Sequence, residues 1–195
     1  MENINMKTVN FVLSGLGGQG ILFMTKIFAL TAIDKGYNIL GAETHGMAQR
    51  GGSVVSHLRI GDTESSLICA GTADFLISMD ESEAYRYLPY LKKEGNLFVN
   101  ASYDTFPDKR VTSYFSKMKI KYQAMQASKV AFKLGSPRST NLAMVAFYSG
   151  FDIGPLTKDE LRTTVNTLSP DLFKEKNLKI FDTCYKTGRK MFLEN

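Results

Sequence analysis

Val9-Asn10-Phe11-Val12-Leu13-Ser14-Gly15-Leu16-Gly17-Gly18-Gln19-Gly20 is the stretch on which the fold turns. Val9 to Leu13 is a short apolar run that ends in glycine, the pattern of a buried strand. From Gly18 to Lys35, Ile21, Leu22, Thr25, Phe28, Ala29 and Ala32 share one face of a helix. Gly36 supplies the backbone freedom that closes such a helix. Tyr37-Asn38-Ile39-Leu40 then reads as a second strand. The first 40 residues are thus predicted to form a βαβ unit with parallel strands.

Further along, Ser53 to Ile60 alternates small or apolar with polar residues and ends at Gly61-Asp62, a strand expected to form a hairpin with Glu64 to Ile68. Asp74 to Ser78 and Asn96 to Asn100 read as strands, with a helix from Glu81 to Leu91 between them. Short strands are expected at Val111 to Tyr114 and Ile120 to Met125. Helices follow at Ala127 to Leu134 and Ser139 to Gly150, around the Gly135-Ser136-Pro137 break. Thr157-Lys158-Asp159-Glu160 has the form of a capping box. Ser169-Pro170 is an N-cap followed by proline, opening a long helix with interruptions expected near Asn177 and Gly188. The pattern predicts one α/β domain over residues 1–195: three layers, a largely parallel sheet with a hairpin, helices on both faces and a Rossmann-like start.

Composition narrows the function. Hydrophobic residues make 44% and charged ones 22%, the mix of a soluble globular protein. No apolar run of about 18 residues suggests a membrane span, and no signal or transit peptide is expected at the N-terminus. Cys69 and Cys184, far apart and outside any CxxC pair, argue against a disulfide framework, a zinc site or an iron–sulfur cluster held by this chain. A cytoplasmic location follows. The net charge of +5 is uneven, because residues 1–97 hold 8 Lys+Arg against 10 Asp+Glu. The densest basic run, Lys109, Arg110, Lys117, Lys119 and Lys121, reads either as attraction for a phosphate or acidic partner or, more plainly, as a solvated face. It lacks aromatic stacking residues at regular spacing and fits no known nucleic-acid-binding motif.

Two glycine-rich stretches carry the candidate chemistry. Gly15-x-Gly17-x-x-Gly20 has dinucleotide-fingerprint spacing, in which backbone N–H groups approach a phosphate at a helix N-terminus. Glu43 lies 23 residues after Gly20, where a ribose-binding acid belongs. Gly18 and Gln19 depart from a simple fingerprint, and the glycines have a plainer use in packing helix on strand. The second stretch, Glu43-Thr44-His45-Gly46-Met47-Ala48-Gln49-Arg50-Gly51-Gly52-Ser53, gathers Glu43, His45, Gln49 and Arg50 among glycines. Gly51-Gly52 can free N–H groups for an anion nest beside the Arg50 guanidinium. Glu43 can hold His45 or Arg50 by a charge-assisted hydrogen bond. A single histidine defines no metal site, and His57 sits in a strand. Ser53 and Ser56 lack a nucleophile elbow. These residues describe a binding or docking surface for an anionic group, with no catalytic residue in this chain alone.

Gly15-Leu16-Gly17-Gly18-Gln19-Gly20 and Glu43 to Val54, with weaker matches at Leu88-Pro89-Tyr90-Leu91, Asn100 and Asn141, resemble the small, gamma-type subunit of the 2-oxoacid:ferredoxin oxidoreductases, most of all the indolepyruvate type. The resemblance spans nearly the whole chain. It implies a subunit of an enzyme that oxidatively decarboxylates a 2-oxoacid with coenzyme A and passes electrons to ferredoxin. Thiamine diphosphate, magnesium and [4Fe-4S] clusters would sit on larger partner subunits. The contact residues would be Gly15, Gly17, Gly18, Gln19, Gly20, Glu43, His45, Gly46, Gln49, Arg50, Gly51, Gly52 and Ser53. No nucleic acid or membrane is expected as a partner. The same Thr44 to Gly52 run occurs in 2-oxoglutarate-type subunits, so 2-oxoglutarate or pyruvate remains open as substrate. Readings of other classes are a stand-alone dinucleotide-binding reductase and a docking module without a role in turnover.

Overall fold

Phe11, Val12 and Leu13 are all buried in strand β1 (Val9–Leu16), but they serve two cores. Phe11 and Leu13 point into one apolar cluster and Val12 into another, as the two-residue period of a strand in mid-sheet requires. The computed structural model describes residues 6–45, 51–102 and 105–194. Six strands form one sheet in the order β2 (Ile39–His45), β3 (Ser53–Ile60), β1, β4 (Ala73–Ser78), β5 (Leu91–Asn100) and β6 (Lys121–Met125). β1, β4, β5 and β6 run parallel.

The predicted βαβ unit is split. β1 and β2 run in the same direction but do not pair, because β3 lies between them and is antiparallel to both. The short connection after β2 favours a hairpin with β3, and the free edge of β3 then takes β1. The hairpin partner of β3 is therefore β2 and not Glu64 to Ile68, which forms no strand. In that segment the Ile68 N–H donates instead to Nδ1 of His57 at 3.2 Å.

Helices cover both faces. α1 (Ile21–Asp34), α4 (Ala127–Lys133), α5 (Thr140–Ser149), α6 (Lys158–Leu168) and α7 (Asp171–Glu194) enclose the larger core. At its centre Phe11 stacks on Phe75 with centroids 4.7 Å apart, and the Tyr148 ring meets both edge-on. The buried Tyr148 hydroxyl donates to the Ile153 carbonyl at 2.8 Å, so the ring carries no orphan polar atom into the core. α2 (Glu81–Tyr87) and α3 (Thr112–Met118) cover the other face.

Three expectations are corrected. The helix predicted to reach Leu91 stops at Tyr87, because Pro89 cannot continue it; a single 3-10 turn, Leu88–Tyr90, leads straight into β5. Val111 to Tyr114 is helical: the Asp108 carboxylate accepts the Arg110 N–H at 2.9 Å and starts a turn that runs into α3. α7 is continuous through Asn177 and Gly188. Asn177 is held in the core by Ser139 and Ser169, at 2.8 and 3.0 Å. The capping box of α6 forms as read, and Glu160 also pairs with Lys35 at the end of α1, at 2.8 Å.

Gly188 faces α5, where a Cβ would lie 2.4 Å from the Phe147 carbonyl oxygen. Alanine is about 1 kcal/mol better than glycine inside a helix. Gly188→Ala nevertheless has to push α7 off α5, and it is predicted to destabilise the chain by about 1–3 kcal/mol. Urea unfolding reads this as a lowered midpoint; a midpoint at or above the parent's would show that the two helices separate freely.

Candidate functional site: a glycine crevice at the strand ends

The β1–α1 turn is built by its glycines. Gly18 and Gly20 have φ of 96° and 79°, left-handed conformations that side chains rarely adopt. A Cβ on Gly15 would fall within 3 Å of Gln19, Ile21 and Met79. Gln19 folds back, its Oε1 accepting the Leu16 N–H at 2.7 Å. Asn141, opening α5, donates from Nδ2 to the Gly20 carbonyl at 3.2 Å. α1 starts without a side-chain cap or an acid in its first turn, so its terminal N–H groups keep their partial positive charge.

The structure joins the two glycine stretches. Gly17 N–H donates to the Gly52 carbonyl at 2.8 Å, and Gly51 N–H donates to the Gly17 carbonyl at 3.3 Å. This corrects the anion-nest expectation in part: the Gly17 and Gly51 N–H groups are engaged with each other's loops and do not point at a ligand. The Gly18 and Gly20 N–H groups, like those of the first turn of α1, make no hydrogen bond among the described residues.

The remaining predicted residues separate. Glu43 is paired across the sheet with Ser56, and Ser56 with Leu13, so β3 lies between Glu43 and the strand that carries the glycine turn. Two strand spacings, about 10 Å, separate them, and the ribose-acid position of a dinucleotide fold is not reproduced. His45 ends β2 opposite Val54. Its side chain, together with Gly46, Gln49 and Arg50, lies outside the described residues. Ser53 turns to the other face, donating to Glu83 Oε2 at 2.5 Å and meeting the Tyr87 hydroxyl at 3.0 Å. It anchors α2 and takes no part in the crevice.

Beside the glycine turn, at the carboxyl ends of β1, β4 and β5, is a crevice of about 260 Å³ lined by Gly18, Gln19, Met79, Asn100, Ser128 and Arg138. Parallel sheets bind ligands at this end. Asn100 fixes its floor, donating to the Met79 carbonyl at 3.0 Å and the Ser128 hydroxyl at 2.9 Å. Arg138 is exposed and has no ion-pair partner among the described residues. Sequence reasoning missed it. The available signal was its position straight after the Gly135-Ser136-Pro137 break, where the chain crosses the strand ends. The basic run at residues 109–121 is partly neutralised, with Arg110 on Asp108 and Lys119 on Glu94, as a solvated face would be. Among the described residues no three His, Cys, Asp or Glu side chains could hold a metal ion, and no helix is long and apolar enough to cross a membrane.

Residues 10–187 match the Pyruvate ferredoxin/flavodoxin oxidoreductase family, and the chain belongs to it. Among its relatives is the Indolepyruvate oxidoreductase subunit IorB of Pyrococcus horikoshii, 31% identical over 95% of this chain and 98% of the relative. The fold is shared with the gamma subunit of a keto/oxoacid ferredoxin oxidoreductase from Geobacter sulfurreducens, at TM-score 0.72 and 22% identity over 93% of this chain and 99% of that one. It is also found in a 2-oxoglutarate:ferredoxin oxidoreductase from Magnetococcus marinus, solved with 2-oxoglutarate, coenzyme A and succinyl-CoA bound. There the TM-score is 0.72 at 17% identity, covering 98% of this chain but only 32% of that chain.

Away from the crevice, His57 gives the fold a pH dependence. It is buried on β3, its ring edge-on to Tyr90, and burial lowers its pKa below the usual 6.5. The unfolded chain therefore binds a proton more readily than the folded one. The His57 contribution to stability is complete above about pH 6.5 and is lost as pH falls through the lower folded value. His57→Gln keeps an acceptor for Ile68 but cannot titrate. Its unfolding free energy is predicted to fall less than the parent's between about pH 7 and 5; equal slopes would remove His57 as the source.

Proposed function

We propose that this chain is the small subunit of an indolepyruvate-type 2-oxoacid:ferredoxin oxidoreductase in the cytoplasm. The supporting observation is the end-to-end match to the indolepyruvate oxidoreductase subunit of Pyrococcus. In this reading the larger subunit carries thiamine diphosphate with magnesium and the [4Fe-4S] clusters. Together they supply an electron sink for decarboxylation and a route for two electrons to ferredoxin. The co-substrate coenzyme A accepts the acyl group.

The role of this chain is then to complete the site and to steer an anion. The open N-terminus of α1 and the Arg138 guanidinium, which has no ion-pair partner among the described residues, give the crevice a positive edge; Arg50, three residues before Ser53 in the sequence, is a further candidate cation. Phosphates of coenzyme A fit that chemistry. The two-strand separation of Glu43 from the glycine turn speaks against the stand-alone dinucleotide reductase.

The test is reconstitution of this chain with its large subunit, followed by dye-coupled oxidation of indolepyruvate, 2-oxoglutarate and pyruvate. Activity is expected only with both chains present, with kcat/KM highest for indolepyruvate. Arg50→Ala and Arg138→Ala are expected to raise the KM for coenzyme A about tenfold each, as loss of a charge-assisted phosphate contact does. Reduction of dye by this chain alone with a nicotinamide nucleotide would overturn the subunit reading. An unchanged KM in both variants would overturn the anion role.

A further inference from the structure

α1 is apolar on the wrong side as well as the right one. Of its fourteen residues only Lys26 and Asp34 are charged. Ile21, Met24, Ile27, Phe28 and Ala32 are buried against the sheet. On the outer side, Leu22 is 43% exposed and Ile33 47%, with Lys26 between them and Ala29 and Leu30 half-buried. These positions, spaced by three and four residues, form one stripe along the outside of the helix. A surface helix ordinarily turns a polar face outward, and one that is apolar all round is ordinarily buried.

The stripe begins beside a groove. Phe23, Phe173 and Leu142 line part of a cavity of about 490 Å³, whose remaining wall is polar, with Arg138, Ser139 and Asn141 among its residues. Leu172, next to Phe173 at the start of α7, is 82% exposed. Two helix starts thus present aliphatic and aromatic side chains to solvent around one concavity. Exposed apolar side chains grouped in this way mark an interaction surface.

Charge selects the occupant. Lys26 sits in the stripe and has no ion pair among the described residues. In a self-complementary contact between two copies across the stripe, each Lys26 would approach its own counterpart, and burying like charges is costly. A different chain offering an apolar surface with a carboxylate at its centre satisfies both features. The Magnetococcus enzyme shows this fold as about a third of a longer chain, so there the fold already comes with a permanent neighbour. We propose that the outer stripe of α1, with the Phe23–Phe173 groove, is the face on which the larger thiamine-dependent subunit docks, and that an aspartate or glutamate of that subunit meets Lys26. This rests on the subunit reading above. Docking there would also bring the partner over the start of α1 and the glycine turn that precedes it.

The experiment measures the affinity of this chain for its large subunit by titration, using the parent, Leu22→Glu, Ile33→Glu and Lys26→Glu, with Tyr114→Glu on the opposite face as control. Circular dichroism and sedimentation of each free chain report folding and self-association. Lys26→Glu exchanges one exposed charge for another and leaves packing untouched, so it tests the face even if an apolar variant misfolds. The parent and the Tyr114 variant are expected to bind alike, and the three stripe variants to bind at least about thirtyfold more weakly, as a central interface residue does. Stripe variants that bind like the parent would overturn the docking face while leaving the subunit reading intact. A parent chain that is dimeric alone and is split by Leu22→Glu would give the face to a second copy and overturn the proposal. A parent chain that does not bind the large subunit at all would sink the subunit reading, and the docking face with it.

Discussion

Strand β3 is the constraint from which the rest of this molecule follows. It pairs along its whole length with β1 and nearly so with β2, antiparallel to each. Those ladders carry Val54, Leu58 and Ile60 into one core and Val55 into the other. Because β3 begins at Ser53, its pairing with β1 ends beside the glycine turn, and Gly51 and Gly52 are delivered to Gly17. The same insertion pushes β2, and Glu43 with it, one place outward. One strand placement thus closes the two glycine stretches on each other and dismantles the geometry of a dinucleotide site.

That placement was not legible in the sequence. The β1–turn–α1 segment was, because a buried strand, a glycine turn and a helical face all have local periodicities. Which strand lies next to which is a non-local property, and residues 39–45 and 53–60 look equally good as neighbours of β1. Val111 to Tyr114 misled for a related reason: Val111 and Thr112 favour strands, but the Asp108 cap one turn earlier decides the local conformation. Gly188 looked like a helix breaker. Its role appears only when α5 is brought against α7, where the absent side chain permits backbone contact.

The candidate site divides in the same way. The glycine turn and its conformational demands could be read directly. Arg138 and the Asn141 contact to Gly20 could not, since they come from segments more than a hundred residues away that reach the crevice through the order of parallel strands. Ser53 belonged by sequence to the polar loop, yet strand alternation turns it to the α2 face. Among the described residues the crevice offers the exposed Arg138 guanidinium and the Asn100 amide, which is fixed by its bonds to Met79 and Ser128.

Glu160 illustrates how economically two distant segments are tied. Its carboxylate closes the first turn of α6 by accepting the Thr157 N–H, and it also receives Lys35 from the end of α1. Partial burial tends to raise its pKa, but the hydrogen bonds from Lys35 and Thr157 outweigh this and hold it below the usual carboxylate value. A single proton therefore loosens a helix start and an inter-helix tie in one event. The two segments form a thermodynamic unit under acid: as pH falls through the depressed value, amide exchange at the last turn of α1 and the first turn of α6 should accelerate together, although 125 residues separate them along the chain.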